Sequence, residues 1–218
     1  MTHPPKPTSA TQMAVRTATI LFVFVVIFTG LLAAAYTWTK PALEASAAEE
    51  KMKLINEVLP RSDYDNDLLA DSLTIPASPL LGLDEASTVY RARKNGQSSA
   101  LVLEAQAPDG YAGRIRLLLA INADGMLLGV RVTQHRETPG LGDYIEPKKD
   151  KNKQRPWISQ FNGQFPMKMT EREWKVKKDG GYFDSNAGAT VTPRAVIKAV
   201  RKAAQYIAEN HEQLLAPQ

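Results

Sequence analysis

The chain has 218 residues, a formal charge of +4 and no cysteine, which is room for one anchor and one domain with its own hydrophobic core. The missing cysteines exclude disulfides and thiolate-ligated iron–sulfur clusters within this chain. With 44% hydrophobic and 23% charged residues, it is neither a disordered chain nor a multi-span membrane protein.

Residues 1–12 are polar and carry Pro4, Pro5 and Pro7, the composition of a flexible tail. Residues 18–36 hold no charge and include Ile20, Leu21, Phe22, Val23, Phe24, Leu31 and Leu32. About 20 apolar residues cross a hydrocarbon core as a helix, so residues 17–38 are expected to span a membrane, with Tyr36 and Trp38 as interface anchors. Lys6 and Arg16 precede this stretch, whereas Glu44, Glu49 and Glu50 follow it. The positive-inside bias therefore assigns residues 1–16 to the cytoplasm and the main domain to the outside. A cleaved signal peptide competes, because Ala33-Ala34-Ala35 resembles a small-residue cleavage site. A signal core is usually about 7 to 15 residues, so the longer apolar run favours a retained anchor. The remaining basic balance is spread along the chain, which argues against nucleic acid as a partner.

Residues 39–60 read as a helical connector. Pro41 bends or restarts the chain, Leu43, Ala47, Met52, Ile55, Val58 and Leu59 recur near one side, and Pro60 ends the run. Residues 61–218 are then one domain. Asp63, Asp65 and Asp67 alternate, but the glycine and the terminal glutamate of a calcium loop are missing, and a solvated loop is favoured. Residues 88–93 and 99–106 flank Asn95-Gly96, the strongest hairpin signal in the chain. A second pair is expected over residues 114–122 and 126–133. Leu117, Leu119 and Ile121 alternate there with Leu118 and Ala120, so that strand is covered on both faces, by the two helices. Residues 173–177 alternate as an edge strand, and Trp157 and Phe161 fit a short amphipathic turn. The pattern is α+β: one N-terminal transmembrane helix, then a compact domain with a mainly antiparallel sheet.

Two segments carry chemistry. In the first, Asp184-Ser185-Asn186-Ala187-Gly188-Ala189-Thr190-Val191-Thr192-Pro193 runs into Val196, Ile197, Val200, Ala203, Ala204 and Ile207 at helical spacing. Thr192 is expected as N-cap and Pro193 as the first helical residue. Thr190 then sits just before a helix start whose unpaired N–H groups form an anion seat, and Gly188 allows close backbone approach. In the second, Gln134-His135-Arg136-Glu137-Thr138-Pro139-Gly140-Leu141-Gly142-Asp143 follows a strand and forms a tight turn with little side-chain bulk. His135 reads as a satisfied sheet-edge histidine, since three histidines in all make no metal cluster. Between the two segments, residues 148–155 are strongly basic and lack interleaved aromatics, so they read as a solvated loop with anionic lipid or an acidic partner as further options.

Both segments resemble the FMN-binding domain family, and the closest resemblance is to the G subunits of Rnf/Rsx electron-transport complexes. The C subunits of sodium-pumping NADH:quinone oxidoreductases are related. Asp184-x-x-Ala187-Gly188-Ala189-Thr190 is similar to the family's flavinylation motif, with alanine at position 187 where serine or threonine is usual. Glu137-Thr138-Pro139-Gly140-Leu141-Gly142 is similar to its second hallmark. The resemblance implies that FMN is attached through a phosphoester to the Thr190 hydroxyl by a separate flavin transferase, which also supplies the activation and any divalent metal. It implies that Asp184 serves recognition or turn formation, and that Gly188, Ala189 and Thr192 belong to the same site. Glu137, Thr138, Gly140, Leu141 and Gly142 would enclose the flavin, with backbone groups from Thr138 to Gly142 on the ring and Leu141 packed against it. Arg194 and Lys198, one turn apart, are the expected phosphate partners. The implied protein is an electron-relaying, single-pass subunit of a bacterial inner-membrane complex, with other membrane subunits as partners. It is not a self-contained enzyme. The competing class is a membrane-anchored binding or assembly module without redox turnover, which Ala187 favours. Paired carboxylates at catalytic spacing and a Ser-His-Asp set are missing, so a hydrolase is disfavoured.

Overall fold

The computed structural model describes residues 9–216. Of the expected polar tail, residues 1–8, with Lys6, lie outside the described residues. The chain divides into two units, residues 1–50 and 51–218. The first is the greater part of one helix, α1 (Ala10–Val58), which is long and apolar enough to cross a membrane. Its residues Ile20 to Leu32 expose their large apolar side chains on every side, the surface of a helix that lipid rather than protein would cover. The helix does not restart at Pro41, which sits inside it. One i to i−4 bond is given up there while the turns on either side continue.

The second unit begins with the last turns of α1 and is built on a five-stranded antiparallel meander, with each strand beside its sequence neighbours. Its strands are β1 (Ser72–Ile75), β2 (Ser87–Lys94), β3 (Gln97–Ala107), β4 (Ile115–Asn122) and β5 (Leu127–Gln134). The β2–β3 hairpin closes at Asn95 and Gly96, both with positive φ (52° and 76°), as a type I′ connection demands. β1 was not expected from the sequence: four residues with only Ile75 fully buried give too short a pattern to register.

Both faces of the sheet are covered, as the alternation in β4 predicts. Leu117, Leu119 and Ile121 join Leu101, Leu103 and Val130 in the larger core. Over it lies α2 (Val191–Glu209), which buries Val196, Ile197, Val200, Ala203, Ala204 and Ile207, each of the larger residues contributing about 1.5–3 kcal/mol. Leu118 and Ala120 face the opposite way, against Ile55, Val58 and Leu59. The connector's apolar face is buried only from about Met52 onward; Leu43 is exposed. A short helix α3 (His211–Leu215) follows α2 and buries Leu214.

Residues 135–190 hold short 3-10 turns rather than regular elements. Trp157–Phe161 is one of them, with Trp157, Ile158 and Phe161 buried, as the amphipathic pattern predicts. The edge strand expected over residues 173–177 does not form. The Thr170 hydroxyl and N–H both bond the Glu173 carboxylate, and the Glu173 N–H returns a bond to the hydroxyl. This capping box nucleates a turn that the alternating pattern does not reveal. The same bonds hold the Glu173 carboxyl below its ordinary pKa. Only Val176 keeps a bridge, to Phe183, and Trp174 and Val176 are both buried in the core.

The contact between the end of α1 and the sheet generates a stability prediction. A Cβ at Gly129 would lie 2.6 Å from the Val58 carbonyl oxygen and 2.8 Å from its Cα, backbone that has nowhere to move. Gly129→Ala is expected to destabilise the domain by about 1–3 kcal/mol, measured by chemical denaturation. An unchanged midpoint would mean that the helix end is not fixed on β5.

Candidate flavin site

The site forms where the loop after β5 meets the first turn of α2. Glu137 is 4% exposed and Thr192 is 2% exposed, and the Thr192 hydroxyl donates to Glu137 Oε2. The other carboxylate oxygen accepts the Ala112 N–H at 3.0 Å. A buried carboxylate is tolerable only when its oxygens are satisfied, and two glycines make the space for this one. A Cβ at Gly142 would stand 2.7 Å from Thr192 Oγ1 and 2.9 Å from Glu137 Oε2; one at Gly110 would stand 2.9 Å from Glu137 Oε1. Thr192 is therefore not the N-cap that its sequence position predicts. It lies inside the first turn with its hydroxyl turned to Glu137, and the cap position is Thr190.

His135 supports the same loop. Its Nδ1 accepts the Glu137 N–H at 3.0 Å, which leaves the proton on Nε2 to bond Glu146 Oε1 at 2.9 Å. Thr138 accepts the N–H groups of Leu141 and Gly142 on its carbonyl, and Asp143 accepts the Gly140 N–H at 2.8 Å. Gly140 itself has a φ of 76°, a conformation that selects glycine. Leu141 is left 53% exposed, a surface apolar side chain on a rigid turn.

The segment that carries Thr190 is held by two buried aromatic residues. Ala187 and Gly188 are the corners of a turn that the Ala189 N–H closes onto the Asn186 carbonyl at 3.1 Å. Gly188 has a φ of 79° and Ala187 a negative one, the signs of a type II turn. The Tyr144 hydroxyl straddles that turn, donating to the Ala189 carbonyl at 3.1 Å and accepting the Asn186 N–H at 3.3 Å. Trp157 Nε1 donates to the Asp184 carbonyl at 2.6 Å, and the rings of Tyr144 and Trp157 meet edge to face at 5.8 Å. Tyr144 is 5% exposed. Burial pushes its phenol up to about 12; the Asn186 N–H opposes the rise and the Asp150 carboxylate adds to it.

Thr190 is half-buried and makes no side-chain capping bond. Its Oγ1 instead accepts Arg194 Nη1 at 3.1 Å. Arg194 is clamped by two further bonds to Asp179, each 2.7 Å. The pair holds the Asp179 carboxyl below its ordinary pKa and raises that of Arg194. Lys198 is not brought to Thr190: its Nζ bonds Asp109 at 2.7 Å. The N–H groups of Val191 and Thr192 have no acceptor among the described residues, as expected of a helix start, and Pro193 has none to offer. The Asp184 side chain is exposed and paired with Lys177 at 2.6 Å. The structure thus joins the Glu137–Gly142 loop to Thr192, and Ala189 and Asp184 to Tyr144 and Trp157. The sequence reading missed Tyr144 and Asp179. Tyr144 follows the glycine turn directly and Asp179 ends a 3-10 turn before Gly180, but neither position shows which backbone or guanidinium it meets.

Among the described residues, Asp63, Asp65 and Asp67 do not come together as a group that could hold a metal ion. Asp65 accepts the Asn95 N–H at 2.7 Å and Asp67 accepts the Leu69 N–H at 3.0 Å.

Comparison with known proteins gives the chain's family. A family model described as FMN-binding domain matches residues 110–205, which takes in both Glu137 and Thr190, and one described as RnfG N-terminal region matches residues 1–58. The ion-translocating oxidoreductase complex G subunit of Pseudomonas aeruginosa (strain UCBPP-PA14) is 46% identical over 203 residues, covering 93% of this chain and 92% of the relative. The G subunits from Vibrio atlanticus and Vibrio cholerae serotype O1 (strain M66-2) are each 40% identical. They cover 90% and 89% of this chain and 91% and 90% of their own lengths. At this identity and coverage, the chain belongs to the family of ion-translocating oxidoreductase complex G subunits.

Proposed function

We propose that this protein is a bacterial inner-membrane flavoprotein subunit that carries FMN in phosphoester linkage on Thr190 and relays electrons between membrane subunits of an ion-translocating oxidoreductase complex. In this reading residues 1–16 are cytoplasmic, residues 17–38 span the bilayer, residues 39–60 connect, and residues 61–218 lie in the periplasm. A flavin transferase attaches the group during maturation. The observation that carries the reading is the state of Thr190: a residue at a helix N-cap that does not cap. Among the described residues its hydroxyl is held by Arg194 alone, beside two unused helix N–H donors.

The residues present suit such a group. A phosphate on Thr190 Oγ1 would meet the Arg194 guanidinium and the N–H groups of Val191 and Thr192, a charge-assisted and dipolar seat. Lys198 is excluded from it by Asp109. Leu141 and Val191, 53% and 44% exposed, each adjoin the Gly142–Thr192 contact and would offer apolar cover to a planar ring. When bound, FMN supplies one-electron and two-electron transfer, and the protein holds the ring and sets its surroundings. Tethering keeps the flavin from being lost to the outside. The non-redox alternative rests on Ala187 through loss of modification by the transferase; that residue is an exposed turn corner, and the turn itself needs no serine or threonine there.

Three outcomes test this reading. After co-expression with a flavin transferase, Thr190→Ala is expected to lose all covalently bound flavin fluorescence on a denaturing gel, while Thr190→Ser retains it. The cost in stability should stay below about 1 kcal/mol, because no capping bond is lost; covalent flavin on the alanine variant would refute the attachment site. Thr192→Val leaves a Glu137 oxygen buried without its donor and is expected to cost about 1–3 kcal/mol in thermal or denaturant unfolding. A wild-type midpoint would show that the buried contact does not hold the loop. The third concerns pH. The folded-state pKa of Tyr144 lies above the ordinary 10.0, so its contribution is complete below pH 10 and is lost as pH rises toward about 12. Burial raises the Tyr206 phenol as well, so tyrosinate absorbance should show late titration from both, and Tyr144→Phe should remove the last step. Its survival in the variant would assign it elsewhere.

A further inference from the structure

The basic segment between the two flavin-site loops differs from a solvated loop in one respect: its only carboxylate is turned inward. Lys148, Lys149, Lys151, Lys153 and Arg155 are all exposed, whereas Asp150 is 8% exposed. Asp150 Oδ2 accepts the Trp157 N–H at 2.5 Å and Oδ1 accepts the Asn152 N–H at 2.9 Å. Asn152 in turn accepts the Arg155 N–H at 3.0 Å, and the Glu146 carbonyl accepts the N–H groups of Lys149 and Asp150, each at 3.0 Å. The backbone is therefore fixed at several points, and the acid that would neutralise the run is committed to fixing it. The neighbouring acids are committed as well, Glu146 to His135 and Asp143 to the Gly140 N–H. None of the five cations has an acidic partner among the described residues; Lys153 bonds only the Lys148 carbonyl, at 2.5 Å.

The loop's two ends place it. On one side lies Tyr144 and on the other Trp157, the two residues that hold the Thr190 segment by the Ala189 and Asp184 carbonyls. A protein docked on this loop would thus stand beside the candidate flavin. We infer that residues 148–155 are a docking surface for an acidic face of another protein, one that exchanges electrons with the Thr190 site. The identity of that partner's task rests on the proposed function; the docking itself does not. Charge complementarity selects an acidic occupant. The fixed backbone selects a protein over anionic lipid, because a headgroup layer attracts basic residues without demanding a set arrangement, and no apolar side chain in the segment is available to enter a bilayer.

The test uses the full-length protein in its native membranes, treated with a water-soluble carbodiimide, which joins lysine amines to carboxylates at zero length. Peptide mapping is expected to find amides from Lys148, Lys149, Lys151 or Lys153 to aspartate or glutamate of another polypeptide. Their yield should fall several-fold between about 20 mM and about 300 mM salt, since exposed charges are screened beyond a few ångströms at high salt. The variant K148Q/K149Q/K151Q/K153Q should lose those links and slow flavin reduction in membranes about fivefold or more, while keeping its near-ultraviolet dichroism, because the bonds of Asp150 are untouched. The inference is overturned if these lysines link no more than exposed Lys202 does. It is equally overturned if phosphatidylglycerol nanodiscs shield them from an amine reagent, phosphatidylcholine nanodiscs do not, and no inter-protein amide forms. Covalent flavin is read separately by gel fluorescence, so its absence would sink the flavin reading and leave the docking result standing.

Discussion

A buried carboxylate meeting a buried hydroxyl decides the shape of the site. Glu137 arrives from the loop after β5 and Thr192 from the first turn of α2, and that bond, with the Tyr144 hydroxyl on the Asn186–Ala189 turn beside it, joins two segments 55 residues apart. A carboxylate removed from water must be fully paired, so the contact is specific as well as adhesive. It dictates glycine at 110 and 142, and it turns Thr192 away from capping. By doing so it leaves Thr190 at the cap position with a hydroxyl that makes no capping bond and accepts Arg194 instead.

Around this bond the site is assembled in layers. His135 orients the loop that presents Glu137, using one ring nitrogen for its backbone and the other for Glu146. Tyr144 and Trp157, packed edge to face, fix the turn that leads to Thr190. Arg194 and Asp179 fix the hydroxyl itself. The sheet and α2 are the rigid support for the loops of the candidate site. The polar groups that would receive an anion stand at the rim, while Glu137, Tyr144 and Trp157, which hold the loop and the turn, are buried.

Much of the support was legible in the sequence. The alternation in β4 announces a strand covered twice, Asn95-Gly96 announces the hairpin, and the apolar spacing after Pro193 announces α2. Each is a periodic or local signal. The site's two loops were legible through their glycines and through family resemblance, although their mutual contact was not. Thr192 illustrates why: the pattern Thr-Pro before a helical run is a good cap signal, and only a tertiary partner overrides it. Residues 173–177 failed for a local reason, since the capping box at Thr170 outweighs an alternating pattern of five residues. Lys198 is on the helix face that the spacing predicts, but Asp109, 89 residues away, takes its charge.

These features support the proposal that the Thr190 hydroxyl is where a flavin is joined to the chain. The most direct test is the mass of the peptide containing Thr190, taken from full-length protein matured with a flavin transferase and fragmented to locate any adduct. An added FMN phosphoryl group is predicted on Thr190 and on no other hydroxyl residue. An unmodified Thr190, in a preparation where a control protein is flavinylated, would contradict that attachment.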